Sequence, residues 1–417
     1  MNYLAYSLIV ITCLLNTGTV NAKKSKKVSP ASFIRIDGQN LIAPGGEKFF
    51  IKGTNLGNWL NPEGYMFLFK NTSAPRLIDQ AFKEMVGPDF TNEFWKLFKD
   101  NYVTRADINY LKKTGTNTIR LPFHYKLFTD EDYMGLKVSQ DGFQRTDSLI
   151  SWCKDAGIYI ILDMHDAPGG QTGDNIDDSY GYPWLFESAE SQKLFLDIWA
   201  KIADRYKNEP VILGYDLLNE PIAPYFGDDM AKLNAALEPL YKKAVAAIRQ
   251  EDKNHVILLG GAQWDGNFAV FSDWKFDDKI MYTCHRYGGE PKADAIRKII
   301  DFRNKTNLPM YMGEIGHNKD EWIASFCKTM EDNNIGYTFW PYKKMGDSTS
   351  FVHVNKPENW DKIMEFTEKP RGNYKDVREA RPDQALARKA LLDYIESCRF
   401  YNCTKNDKYI KAMGLRP

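Results

Sequence analysis

Net charge is the first thing this chain lacks: Lys+Arg and Asp+Glu both number 55 in 417 residues. Without a field of one sign there is no long-range pull on nucleic acid or on an anionic membrane, so any binding has to be local. Long hydrophobic runs are also missing, and beyond the N-terminus no segment is apolar enough to cross a bilayer. Cysteine is sparse. Past the N-terminal leader there are five, Cys153, Cys284, Cys327, Cys398 and Cys403, and an odd number excludes a fully paired disulfide framework. Cys398 and Cys403 are close enough in sequence to bridge in an exported protein, whereas Cys153 and Cys284 sit in apolar contexts typical of buried thiols. A glycine-rich dinucleotide turn is absent after the first predicted strand, and no His-x-His or His-Glu-x-x-His spacing offers a catalytic metal its ligands. No cofactor and no metal are therefore expected.

What remains is a chain with 43% hydrophobic and 26% charged residues, ample for one large barrel or two medium domains. Aromatic residues are plentiful at 10 Trp, 23 Tyr and 24 Phe; most must be core, but flat rings beside polar groups also suit sugar faces. Met1 to Ala22 carries an apolar stretch, Leu4 to Leu15, and ends in Val20-Asn21-Ala22. It reads as a removed secretory signal, too short to span a membrane. Residues 23–31, with the basic run KKSKK, read as a solvated tether, and 32–417 as one catalytic domain. A monomer exported to the periplasm, the cell surface or the medium is expected, and the sequons at Asn71, Asn304 and Asn402 matter only where the host glycosylates.

Ser32 to Lys52 reads as a hairpin, with turn signals at Asp37-Gly38 and Gly45-Gly46, placed to plug the bottom of the fold built by the rest of the chain. From Phe49 onward short apolar runs alternate with amphipathic stretches such as Thr104 to Lys113, Lys193 to Tyr206 and Met230 to Arg249. The runs are FFIKGTN, TNTIRLPF, IYIILDMHD, VILGYDLLNE, HVILLGG, IMYTCHRY, LPMYMGEIG and GYTFWPY. Eight of them predict an α/β fold, a (β/α)8 TIM barrel with an N-terminal β-hairpin. An open doubly wound sheet is the alternative.

A barrel of this kind collects its chemistry at the C-terminal ends of its strands. Those ends here hold Asn55 or Asn58, Arg120, His165 with Asp166, Asn219-Glu220, Gln263-Trp264, His285-x-Tyr287, Glu314 and Trp340. VILGYDLLNEP is the most informative: Val211, Ile212, Leu213, Leu217 and Leu218 predict a strand buried on both faces. Pro221 then stops the ladder, so the backbone can turn and aim both Asn219 and Glu220 into the mouth. Two apolar strands that each end in one glutamate, Glu220 and Glu314, suggest paired-carboxylate chemistry. Each piece alone has an ordinary reading as well. A strand-end Glu caps helices, Asn219 makes turns, His165 and His285 serve as satisfied core histidines, and Trp340 packs a barrel.

Taken together and in order, the Arg, His, Asn-Glu-Pro, His-x-Tyr, Glu and Trp of successive strands resemble glycoside hydrolase family 5 of clan A. GTNLGNWL, YVTRADINYLKKTGTNTIRLPF and DMHDAPGGQTGDN are similar to its exo-β-1,3-glucanase-like branch. Asn58 stands where that branch usually has glycine, and Arg286 and the segment Asn61 to Phe90 follow no pattern of it. The resemblance implies a retaining O-glycosyl hydrolase with Glu220 as acid/base and Glu314 as nucleophile. Arg120, His165, Asn219, His285, Tyr287 and Trp340 then bind substrate, a β-linked glycan or oligosaccharide. Arg120 and Tyr287 would keep Glu314 ionised, and Asn219 would hold the 2-hydroxyl.

The implied activity is that of an exo-acting β-glucosidase or β-1,3-glucanase. The alternatives are an endo-β-1,4-glucanase or β-mannanase, a non-catalytic carbohydrate-binding barrel, or a metal-dependent hydrolase using Asp163, His165 and His285. Ala167 to Phe186 is expected to form a lid across one end of the cleft, and Lys343 to Trp360 to line the other rim.

Overall fold

The computed structural model describes residues 29–346 and 349–417. The expected secretory leader and the KKSKK run lie outside them. Among the described residues no helix is long and apolar enough to cross a membrane.

Eight strands close into a barrel: β4 (Lys52–Asn55), β5 (Thr118–His124), β6 (Tyr159–Asp166), β7 (Ile212–Asp216), β8 (Val256–Gly260), β9 (Ile280–Arg286), β10 (Met310–Ile315) and β11 (Gly336–Phe339). Every pairing around the ring is parallel, and β11 returns to β4. β5, β7, β8, β10 and β11 are buried along their whole length, as expected of strands covered by helices outside and filled by side chains inside. Local sequence sets the connections. Thr104 and Asp107 form a reciprocal capping box at the start of the helix Arg105–Thr114, and Gly115 closes it in the left-handed conformation, which no Cβ opposes.

The N-terminal segment packs where a plug is expected. β1 (Arg35–Asp37), β2 (Asn40–Ile42) and β3 (Lys48–Phe49) form an antiparallel sheet. Ile34, Leu41 and Ala43 join Ile51, Ile161, Leu213, Val256, Leu258, Met281 and Tyr311 of the barrel floor in one apolar cluster.

Four expectations need correction. Lys48 and Phe49 belong to the plug sheet, so the first barrel strand begins at Lys52. β7 ends at Asp216, before Leu217 and Leu218, and the Asp216 carboxylate meets Arg120 at 2.8 Å. Between β8 and β9 no helix intervenes beyond short turns; Gly260, Gly261 and Gly266 with Asp265 and Asn267 favour turns over a continuous helix. Cys398 and Cys403 are both free, the Cys403 thiol facing the carbonyls of Ser397 at 3.4 Å and Arg399 at 3.5 Å.

The expected second rim also dissolves. Lys343 is fully buried, its ammonium held by Asp107 at 2.6 Å and by the carbonyls of Tyr102 at 2.6 Å and Cys398 at 2.9 Å. Trp360 is equally buried and donates its indole N–H to Phe67 O at 2.9 Å. Both fasten the C-terminal segment to the barrel wall rather than facing substrate. Lys343→Met leaves Asp107 as a buried charge without its cation, so unfolding in urea is expected to show a loss of about 3 kcal/mol. An unchanged midpoint would mean that the ion pair contributes nothing to the fold.

Candidate active site

The site is built around Arg120, which β5 carries into the barrel. Its guanidinium has no exposed surface and meets three carboxylates: Asp216 at 2.8 Å, Asp163 at 3.0 Å and Glu314 at 2.8 Å. It also donates to Asn55 Oδ1 at 3.2 Å and Asn219 Oδ1 at 3.0 Å. Burial works against its charge, but Asp163, Asp216 and Glu314 together hold it well above the ordinary guanidinium range. A planar fork with five donors is the one side chain able to serve that many acceptors at once. Asn55 also donates to Gly313 O at 3.0 Å and Phe339 O at 3.2 Å, tying the first, seventh and eighth barrel strands to the same group.

Two local distortions bring the glutamates together. After β7 the backbone turns at Glu220, whose φ is 47°, and again at Ile222, whose φ is 59°; this is the turn Pro221 permits. In β10 the register slips between Met312 and Glu314. Gly313 makes the slip possible, since a Cβ there would lie 2.5 Å from Thr283 Oγ1 and 2.8 Å from His285 Nε2. One oxygen of Glu220, one of Glu314 and a ring nitrogen of His285 consequently lie within 4.8 Å of one another.

The two carboxyls have different partners. Glu220 Oε1 is 2.8 Å from His285 Nδ1, and burial pushes its carboxyl up to about 7 despite the nearby His165 and Arg120. Glu314 accepts from Arg120 at 2.8 Å through one oxygen and from the Tyr287 phenol through the other. One carboxyl is thus suited to hold a proton near neutrality, and the other accepts from a guanidinium and a phenol. His285 in β9 and Tyr287 just past its end reach the same mouth, as their spacing of two predicts, one to each glutamate. Burial drives His285 down to about 3, so the ring is neutral.

Beside this pair, His165 on β6 turns Nδ1 to Asp163 at 2.8 Å and brings Nε2 to 3.5 Å from Glu63 Oε1. Burial opposes the imidazolium, yet Asp163 and then Glu63 raise it to about 10. The cationic ring stacks on Trp340 at 5.0 Å with 1° between planes. The Trp340 indole N–H donates to the Tyr65 hydroxyl at 2.6 Å.

All eight residues expected from the sequence therefore converge: six line the cleft, His285 stands against Glu220 and Arg120 lies buried beneath. The cleft above them holds about 190 Å³ and is lined by Glu63, Tyr65, His165, Ile176, Asn219, Glu220, Tyr287, Glu314, His317 and Trp340. Asp163, His165 and His285 do not converge as metal ligands, for His165 turns to Asp163 and His285 to Glu220.

Several residues were not anticipated. Glu63 sits in the segment Asn61 to Phe90, which follows no family pattern, yet its buried Oε1 faces the cleft without a hydrogen bond, and burial raises its carboxyl. Asn58 holds it there by accepting from the Glu63 N–H at 3.1 Å. The φ of 69° at Asn58 explains why glycine or asparagine suits that position. Asp216, paired with Arg120, was hidden inside an apolar run, and Asp163, anticipated only as a metal ligand, instead meets Arg120 and His165; a carboxylate interrupting such a run was the available signal.

The segment Ala167 to Phe186 is an ordered wall. Gln171 donates to His165 O at 2.8 Å and to Asn219 O at 2.9 Å, while Thr172 Oγ1 donates to Glu220 O at 2.8 Å. Only Ile176 of this segment reaches the cleft lining. Outside, Tyr225 (55% exposed) and Trp264 (37% exposed) meet edge to face at 5.9 Å and present open aromatic surface.

The family described as Cellulase (glycosyl hydrolase family 5) matches residues 80–346 of the chain. A beta-xylosidase of Phanerodontia chrysosporium is 31% identical over 83% of this chain and 71% of its own. Endoglucanase C of Acetivibrio thermocellus is 27% identical over 60% of this chain and 87% of its own. A probable glucan 1,3-beta-glucosidase A of Neosartorya fischeri is 24% identical over 67% of this chain and 63% of its own.

Proposed function

Because the chain belongs to glycosyl hydrolase family 5, we propose that it is a retaining β-glycosidase that removes glucosyl units from the non-reducing end of a β-glucan or β-linked oligosaccharide. The observation that carries this reading is the carboxylate pair. An approach of one oxygen from each within 4.8 Å suits direct attack by one carboxylate, for which carboxyl groups about 5 Å apart are typical, better than the wider spacing that inversion uses.

Glu220 acts as the acid. It protonates the glycosidic oxygen while Glu314 attacks the anomeric carbon, and Asn219 and Arg120 keep the reacting groups in register. Once the glycosyl ester has formed, the negative charge on Glu314 is gone and Glu220 loses a repulsive neighbour. As a carboxylate it then takes a proton from the water that attacks the ester. Trp340 offers a flat face to the sugar, held by His165 behind it and Tyr65 beside it.

Exo action is supported by the crowding around Glu63, Tyr65, His165 and Trp340, which together present charged and hydrogen-bonding groups to a terminal sugar. Glu63 Oε1, 3.5 Å from His165 Nε2 and without a closer hydrogen bond, is suited to a terminal hydroxyl. Glu63→Ala is expected to lower kcat/KM on an oligosaccharide by roughly 10- to 100-fold, the usual loss for a charged hydrogen bond, while sparing the order of the two chemical steps. The aromatic pair Tyr225 and Trp264 would stack leaving-group sugars. That extended surface favours a second reading, endo cleavage of a β-1,4-glucan, in line with the relative named endoglucanase. The apolar leader supports export.

The test is hydrolysis of aryl β-glycosides and of β-1,3- and β-1,4-linked oligosaccharides, with proton NMR of the first-formed anomer. The expected outcome is β-glucose released singly from one end and no effect of chelators. Initial release of the α-anomer would overturn retention, and early production of mixed oligomers would favour the endo reading. Glycan binding without turnover would reduce the protein to a lectin-like barrel.

A further inference from the structure

After β8 the chain enters a conformation that L-residues avoid. Gln263, Trp264 and Asp265 have φ of 51°, 58° and 59°, a single left-handed turn without glycine. Crowding of Cβ against the backbone disfavours each of them, and such strain persists where the surrounding structure over-determines it. The turn sends Trp264 outward and Asp265 inward. Gly260 makes room, since a Cβ on it would lie 1.8 Å from Asp265 Oδ1.

Asp265 has no exposed surface. Its Oδ2 lies 3.3 Å from His285 Nε2 and 3.4 Å from the Glu220 N–H, a long approach that leaves Nε2 without a well-formed partner, and Oδ1 has no hydrogen bond. Across the ring, His285 Nδ1 is 2.8 Å from Glu220 Oε1. Asp265, the imidazole and Glu220 thus form one line.

The groups that bear on this line are limited. Asp216, Glu220 and Arg120 act on Asp265, whose charge is also felt by Cys284 and Tyr241. Glu314, Arg120, Asp163 and His165 act on His285. Arg120 is already engaged by Asp163, Asp216 and Glu314. An ionised Asp265 would be a buried charge with one bare oxygen, two carboxyls nearby and, among the described residues, no cation in hydrogen-bond reach. Such a carboxyl keeps its proton. Burial first, then Asp216 and Glu220, push it well above the carboxylate range.

A protonated carboxyl has a donor to offer the neutral ring. We propose that Asp265 is a positioning residue held as the carboxylic acid, which donates to His285 Nε2, fixes the Nδ1–H tautomer and obliges the ring to donate to Glu220 Oε1. This rests on Glu220 being the acid/base. The consequence is directional: the acidic proton of Glu220 stays on the oxygen that His285 does not occupy, available to the leaving group. An ionised Asp265 would claim the ring proton at Nε2, and the bare Nδ1 lone pair would then compete for the proton of Glu220. In the second step the same Nδ1–H supports the Glu220 carboxylate while it accepts a proton from water. Glu220 gives its proton to the leaving oxygen in the first step and regains one from water in the second, while the protons of Asp265 and of the ring stay in place, so the cycle balances.

The test compares Asp265→Asn, which keeps a donor, with Asp265→Leu, which does not. Asp265→Asn is expected to retain kcat/KM on an aryl β-glucoside within about threefold, with the basic limb of its pH profile unmoved, whereas Asp265→Leu loses roughly 10- to 100-fold. A basic limb that moves to lower pH in Asp265→Asn would show that a negative charge had been removed beside Glu220, and the proposal would fall. Equal damage in both variants would also overturn it. Nitrogen-15 NMR of the ring, assigned by difference from His285→Gln, provides a readout independent of turnover. The wild type should show a protonated Nδ1 and an unprotonated Nε2, and the opposite tautomer overturns the proposal even if no glycoside is ever hydrolysed. A wild type inert on every glycoside would count against the proposed function alone.

Discussion

Replacing Glu314 with glycine is expected to lower turnover by roughly 10⁵-fold, in the range seen when a covalent nucleophile is deleted. The loss is chemical rather than structural. Arg120 keeps Asp163 at 3.0 Å and Asp216 at 2.8 Å after Glu314 is gone, so the guanidinium remains neutralised and the barrel mouth keeps its framework. The Tyr287 phenol loses its acceptor but stays at the edge of the space vacated. An anion the size of azide fits where the carboxylate was, next to Arg120, and can attack the anomeric carbon from the side Glu314 used. Azide is therefore expected to restore turnover of an activated aryl β-glucoside and to yield the α-glucosyl azide, identified by the coupling constant of its anomeric proton. A β-azide from this variant would place the nucleophile elsewhere, and full activity without azide would remove Glu314 from the mechanism.

Why so much of this site was legible in advance comes down to the barrel. Parallel strands covered on both faces must be apolar along their length, so a polar residue at their C-terminal end stands out against the run before it. His165, Glu220, His285, Glu314 and Trp340 announce themselves in this way, whereas Arg120 interrupts its run from inside β5, and closure of the ring brings them together regardless of their distance in sequence. The rim at Lys343 and Trp360 failed for the opposite reason, and the closeness of Cys398 and Cys403 in sequence left their pairing open. Proximity in sequence does not orient two thiols, and a lysine or tryptophan after a strand is as able to staple a C-terminal helix as to meet a sugar.

Glu63 and Asp265 were invisible for a further reason, because each depends on a backbone conformation that the residue type does not advertise. Glu63 is held by an asparagine in the left-handed region. Asp265 hangs from a turn of three successive positive φ values, in a chain segment where a helix was expected. Irregular backbone is set by tertiary contacts, such as the space above Gly260, and leaves little periodic trace.

For Glu220 the expected results depend on the leaving group, which separates an acid from a residue that merely binds. Burial pushes its carboxyl up to about 7. The protonated form is the working one in the first step, so kcat/KM should be maintained below that pH and should fall as pH rises through about 7. Glu220→Ala is expected to lose about 10²- to 10⁴-fold on an alkyl glucoside or oligosaccharide, the range for removal of a general acid, and its basic limb should disappear. A dinitrophenyl glucoside needs no protonation to depart. With it the variant should still form the glycosyl ester, and turnover should stall at the second step because no base activates water. Azide, which needs no base, should then accelerate release and give the β-glucosyl azide, opposite in configuration to the product of Glu314→Gly. If Glu220→Ala were equally slow on both leaving groups, Glu220 would be binding substrate rather than moving a proton, and the high carboxyl pKa at the end of β7 would be a consequence of burial alone.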